Sequence, residues 1–183
     1  DLMQEMGMKV TQLPGGEIVP AMERGVIDAF EFNNPTSDRR FGAQDVAKNY
    51  MMGSYHQAME FFEILFNKKK YNALPKDLQA ILAYAAEAAS TSNYATAMDN
   101  YSRDLAELKS KEKVNVIRTP QSVFDAQIKA WDKIVAKLTA EDPFFKKVWE
   151  SQLAWGKRVG YYNFFNNADY KAAYEHIHGK LGF

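Results

Sequence analysis

Chemistry in this sequence concentrates in one acidic segment, Asp28-Ala29-Phe30-Glu31-Phe32-Asn33-Asn34-Pro35. Read as a strand, its side chains alternate: Asp28, Phe30 and Phe32 share one face, Ala29 and Glu31 the other. Glu31 then falls at the strand's end, just before a polar loop, where open α/β sheets bind their ligands. A carboxylate there, with backbone carbonyls and amide side chains beside it, offers the oxygen donors that a hard cation takes. The same spacing also suits a solvated glutamate at a strand end.

Other chemistries find less support. The histidines are His56, His176 and His178. The last two stand two apart near an expected helix C-terminus, where they diverge and where the helix dipole favours a histidine without any function. Pairing Glu31 with His56 as base and acid would give an α/β enzyme fragment acting on a small carboxylic acid, but sequence separation supplies no geometry for it. The chain has no cysteine, which removes disulfides, thiolate metal sites and cysteine nucleophiles. It contains no G-x-S-x-G elbow, phosphate loop, dinucleotide fingerprint or H-E-x-x-H. Gly15-Gly16 opens a short helix and could in principle receive an anion, but it lacks the remaining glycines and the lysine of a phosphate loop, and a plain helix-start turn is the better reading. Lys and Arg number 23, as do Asp and Glu, so net charge gives no reason to invoke nucleic acid or an anionic membrane.

These residues need elements to place them, and 183 residues with 46% apolar composition can bury a substantial core. Before Lys70 the pattern is short and interrupted. It predicts strands at Met8 to Leu13, Val26 to Phe32, Tyr50 to Ser54 and Phe61 to Phe66, a helix at Gly16 to Arg24, and a loop from Asn33 to Asp38. Beyond Asn67 the chain turns helical. Pro75 starts a long helix from Lys76 to about Lys109, with a bend expected at Ser90-Thr91-Ser92-Asn93. Val114 to Ile117 reads as a strand. Thr119-Pro120 and Asp142-Pro143 are helix starts, followed by the stripes Phe124, Ile128, Trp131, Val135, Leu138 and Phe145, Val148, Gln152, Trp155, Val159. A last helix carries Tyr170, Tyr174, Ile177 and Leu181. A purely helical interaction module would not need the early strands. Three or four short strands, however, make an incomplete sheet, and Asp1-Leu2-Met3-Gln4 is neither an initiator methionine nor a signal peptide, so the expectation is the second half of a larger α/β protein.

The run Leu13-Pro14-Gly15-Gly16-Glu17-Ile18, followed by Pro20-Ala21-Met22-Glu23-Arg24-Gly25-Val26-Ile27-Asp28-Ala29, resembles a stretch of the solute-binding subunits of TRAP transporters, the DctP-type extracytoplasmic receptors. It is most similar to the branch that binds 2-oxo and 2-hydroxy acids. The resemblance continues through Glu31-Phe32, Pro35 and Asp38, and resumes at Phe66-Asn67-Lys68, Leu74-Pro75 and Asp142 to Lys147.

The resemblance implies an α/β fold in which this chain is the second lobe of a periplasmic binding protein, a short mixed sheet with helices followed by long C-terminal helices. Residues 1–70 would be part of the ligand-binding lobe, 71–113 a long connecting helix, and 114–183 the remaining strand and the C-terminal helices. A first lobe and a carboxylate-binding arginine would precede Asp1; neither Arg24 nor Arg39 matches that arginine. The implied activity is non-enzymatic capture of a small 2-oxo or 2-hydroxy monocarboxylate, of the pyruvate or lactate type, in the periplasm for delivery to TRAP membrane permease subunits. Glu31 and the backbone carbonyl of Phe32 would hold a sodium or calcium ion bound together with the ligand. Phe32 would also form an aromatic wall. Gln57, where the branch often has Glu, and His56 beside it would contact the acid. Aromatics make up 14% of the chain, and those from Trp155 through Tyr161, Tyr162, Phe164 and Phe165 to Tyr170 could serve a homodimer built on C-terminal helices, or simple internal packing.

Overall fold

The computed structural model describes residues 1–55 and 62–182. In chain order the elements are α1 (Leu2–Glu5), α2 (Gly15–Glu23), α3 (Pro35–Phe41), α4 (Ala43–Val46), β1 (Asn49–Met52), α5 (Lys68–Asn72), α6 (Lys76–Ser110), β2 (Asn115–Arg118), α7 (Gln121–Glu141), α8 (Pro143–Asn166) and α9 (Tyr170–His178). They form two units. One comprises Gln12–Met52 and Gln57–Ile117, the other Asp1–Thr11, Gly53–His56 and Arg118–Phe183.

In the first unit, β1 and β2 form a two-stranded sheet. The Asn115 amide donates to the Lys48 carbonyl at 2.8 Å, and the Asn115 side-chain amide donates to Asn49 Oδ1 at 3.0 Å. The strands run parallel, so they need a crossover, and α5 and α6 provide it. Helix α6 has 35 residues and at 1.5 Å per residue is about 52 Å long. Helix α6 runs without a break through Ser90 to Asn93, where the Ser90 and Thr91 hydroxyls donate to the Ala86 and Glu87 carbonyls, the back-bonding that often accompanies a bend. Ile18 and Ala21 of α2, Leu108 of α6 and Val114 supply the buried apolar side chains of this unit.

The first-half strands differ from expectation. Met8 to Leu13, Val26 to Phe32 and residues 62–66 are not strands, and Phe61 lies outside the described residues. An extended run becomes a strand only where a second one satisfies its backbone groups, and among the described residues only β1 and β2 pair. Phe62, Ile64 and Leu65 are exposed instead of buried. Asn33 to Asp38, expected as a loop, contains the start of α3. Asn34 Oδ1 accepts from the Ser37 amide at 2.9 Å with Pro35 in the first helical position, a helix-start signal that also looks like loop punctuation.

The second unit is organised on α7, which packs against α1 and α8. Trp131 and Trp149 meet edge to face at 6.0 Å, and Lys133 pairs with Glu5 at 2.9 Å. The most buried residues of α7 are Gln127 and Ala130. The expected stripe is turned partly outward, with Ile128 and Trp131 exposed. Asp142 caps α8 by accepting from the Phe144 and Phe145 amides at 2.7 and 3.1 Å, and Asp169 caps α9 through the Ala172 amide. Among the described residues no helix is long and apolar enough to cross a membrane.

Candidate functional site

Glu31 and Phe32 lie in the connection from α2 to α3, and both ends of that connection are fixed by local chemistry. Helix α2 stops at Gly25, whose φ of 68° suits glycine, with Val26 donating to the Ala21 carbonyl and Gly25 to that of Met22. This double closure ends a helix by satisfying its last carbonyls. At the other end the Asn34 cap launches α3. Between them, Phe32 stacks on Phe41, the last residue of α3, with ring centroids 4.6 Å apart and 14° between planes. Phe30 meets the same ring edge-on at 6.2 Å. Gly15 leaves room for this packing, since a Cβ there would stand 3.2 Å from the Phe32 ring edge.

The polar side of the connection is organised by Asp38, which is 7% exposed. Its Oδ1 accepts from the Asn33 amide at 3.1 Å, and its Oδ2 accepts from the Tyr50 hydroxyl of β1 at 2.8 Å. Burial pushes the Asp38 carboxyl above its ordinary range even though these hydrogen bonds favour its charged form. Tyr50 is driven upward as well, first by burial, then by the Asp38 charge and hydrogen bond, with the charge of Glu31 adding to the effect. It is therefore a donor throughout the physiological range, and Glu31 stands close enough for its charge to be felt there. Glu31 itself is exposed.

The donor set at this connection consists of oxygens: the Glu31 carboxylate and the backbone carbonyls around it. That chemistry fits a hard cation such as sodium or calcium and does not fit a soft metal. Among the described residues no group of three or more His, Cys, Asp or Glu gathers closely enough to hold a metal. A cation at Glu31 would thus take further oxygens from carbonyls and from a bound anion.

His56 and Gln57 lie outside the described residues, and with them the Glu31–His56 pairing. The chain leading to them is held within the second unit by a residue that the apolar stripe concealed. Gln127, 2% exposed, accepts from the Tyr55 amide at 3.0 Å and donates to Ser54 Oγ at 2.6 Å, while the Tyr55 ring rests on Phe124 at 4.9 Å. Arg39 directs its guanidinium to Asp104 at 2.9 Å, to Glu112 at 2.8 Å and to Glu107, so its fork is fully engaged by carboxylates of its own chain. An apolar concavity of about 330 Å³ between Phe66, Tyr71, Leu82 and Ala86 includes no residue of the Glu31 connection.

Solved structures similar to this chain include solute-binding proteins of TRAP transporters. One from Colwellia psychrerythraea, a TRAP periplasmic solute-binding protein with bound calcium and pyruvate, is 30% identical with a TM-score of 0.74, over 89% of this chain and 50% of that one. A TRAP transporter solute-binding protein from Bordetella bronchiseptica, a mixed-occupancy dimer with calcium and picolinate, is 26% identical with a TM-score of 0.78, over 91% and 50%. A third, from Pseudoalteromonas atlantica with bound sodium and pyruvate, is 26% identical with a TM-score of 0.74, over 90% and 50%. A monocarboxylate 2-oxoacid-binding periplasmic protein of Nostoc is 28% identical over 173 residues, which is 93% of this chain and 46% of the relative. The sequence model of DctP, bacterial extracellular solute-binding protein, family 7, matches residues 1–142, and the chain belongs to that family. The family is one of extracellular solute receptors and not of enzymes. The chain spans about half the length of these relatives.

Proposed function

We propose that this chain supplies one lobe of a periplasmic TRAP receptor that captures a small 2-oxo or 2-hydroxy monocarboxylate together with a cation and delivers it to membrane permease subunits. The observation that carries this reading is the Glu31–Phe32 connection, an oxygen-only donor set fixed between two capped helices in a chain of this family. The names of the relatives, with pyruvate beside calcium in one and beside sodium in another, support both the acid and the cation.

In this reading Glu31 and the Phe32 carbonyl hold the cation, and Phe32, Gln57 and His56 contact the acid. The cation bridges the ligand's oxygens to Glu31, offsetting the repulsion between two carboxylates. Gln57 in place of a carboxylate keeps an acceptor, adds a donor and removes a charge, which favours an acid presenting both a carbonyl and a hydroxyl or water partner. Closure follows from the ligand touching both lobes of the complete receptor. A second copy of the chain packs on the aromatic end of α8 and on α9, a reading supported by the exposure there and by the dimer in the Bordetella relative.

Calorimetric titration of the full-length protein with pyruvate and with lactate, with and without calcium or sodium, tests the proposal. Cation-dependent binding is expected, and Glu31→Ala should weaken it at least about tenfold, as loss of a charged ligand to a bound ion does. Unchanged affinity in the variant removes Glu31 from the site, and turnover of either acid moves the protein to the enzymes.

A further inference from the structure

We propose that Asp38, braced by Tyr50, is the positioning residue that fixes the Asn33 backbone and thereby aims the Phe32 carbonyl. This rests on the cation site proposed above and identifies what sets its geometry.

Three observations converge. The connection carrying Glu31 has no ladder of its own, because Val26 to Phe32 is not paired as a strand. Its carbonyl directions are therefore set by what grips it locally. Phe32 is gripped on its ring by Phe41, which locates the side chain and does not by itself set the peptide plane between Phe32 and Asn33. The hydrogen bond from the Asn33 amide to Asp38 Oδ1 sets it, since the Phe32 carbonyl and the Asn33 N–H belong to the same planar unit and point in opposite directions. With the N–H pointing at Asp38, the carbonyl is turned away from it.

Asp38 can act in this way only if its own carboxylate cannot swing. It is buried at the start of α3, and the Tyr50 hydroxyl occupies its second oxygen. Tyr50 comes from β1, so a strand of the sheet and a helix jointly hold the group that orients the connection. The side chain offers one oxygen to the Asn33 amide and the other to the Tyr50 hydroxyl, so both donors hold it at once. Partners of metal ligands that lie one bond further out tune affinity by fixing orientation, and their loss ordinarily costs about ten- to hundredfold in metal affinity.

The test uses the full-length receptor, titrated with calcium chloride and with sodium chloride in the presence of pyruvate, alongside hydrogen exchange at the Asn33 amide and thermal unfolding. Asp38→Ala should lower cation affinity about ten- to hundredfold and accelerate Asn33 exchange. Asp38→Asn retains an acceptor for the Asn33 amide and should recover most of the affinity and the slow exchange. Tyr50→Phe, which keeps the ring and removes the hydroxyl, should lower affinity with the fold intact, so the idea stays testable even if Asp38→Ala does not fold. Wild-type affinity in Tyr50→Phe and in Asp38→Ala, with Glu31→Ala abolishing binding, overturns the positioning role and leaves the site standing. Asn as damaging as Ala at position 38 also overturns it. Cation binding that survives Glu31→Ala instead brings down the site itself.

Discussion

Arg39 gathers Asp104, Glu107 and Glu112 around one guanidinium and ties α3, which ends the Glu31 connection, to the last turns of α6. Part-exposed ion pairs contribute little singly, but here one cation faces three carboxylates that would otherwise face one another. Asp104 is held below the usual carboxylate range, and Arg39, whose guanidinium donates to it, is among the groups that favour its charged form. Lys111 and then Arg39 do the same for Glu107. A carboxyl lowered by folding adds stability above its unfolded value and loses it as pH falls through its folded value. Asp38 carries the opposite sign, because burial raises it, so its contribution is lost as pH rises through its folded value. Urea unfolding followed across the acid range should therefore show stability falling steeply below the ordinary carboxylate range. Arg39→Ala should unfold more easily at neutral pH and show a shallower acid loss, since part of what acid removes is already gone. An acid profile identical to the wild type's would show that the cluster does not couple to folding.

Helix caps decide how much of the architecture the sequence reveals. The long helices are legible because each has its own start signal and an uninterrupted run: the expected span from Lys76 to about Lys109 is α6, Lys76–Ser110, and Asp142-Pro143 opens α8. The two strands that pair were also legible to within a residue or two, as Tyr50 to Ser54 against Asn49–Met52 and Val114 to Ile117 against Asn115–Arg118. The unpaired early runs were not, because alternation describes one strand and says nothing about a partner. Glu31 consequently reached the site by resemblance and by its place before α3, and not as the end of a strand. In the sequence Asp38 is the end of a polar loop and a point of that resemblance. Its role needed the structure, since nothing in the spacing of Asn33, Asp38 and Tyr50 shows that one carboxylate accepts from both others. Asn34 is the element-level test. Asn34→Ala removes the acceptor for the Ser37 amide and should cost about 1 kcal/mol, read by denaturant unfolding. It should also loosen the Asn33 turn, whereas Asp142→Ala, of similar cost at the start of α8, should leave Asn33 exchange unaffected.

At the scale of the whole chain, the exposed apolar surface sets the question. Tyr161, Tyr162, Phe164 and Phe165 at the end of α8 are between 62% and 89% exposed, and Tyr170 and Ile177 of α9 are more than 70% exposed. Aromatic residues at this density and exposure mark surfaces that another surface covers, because a monomer seldom leaves a contiguous apolar patch of this kind in water. The stacked pair Tyr161 and Phe165, 5.8 Å apart and 9° from parallel, presents a flat ledge one helical turn long, the kind of anchor that interfaces favour. If a second copy covers it, light scattering behind gel filtration should give twice the monomer mass at tens of micromolar. Phe164→Ser combined with Phe165→Ser should return the monomer with its helix content preserved by circular dichroism. Ser→Ala at Ser151, an exposed position earlier on the same helix, should change neither reading. A wild-type chain that runs as a monomer at that concentration removes the second copy from the account and leaves the ledge to a different protein surface.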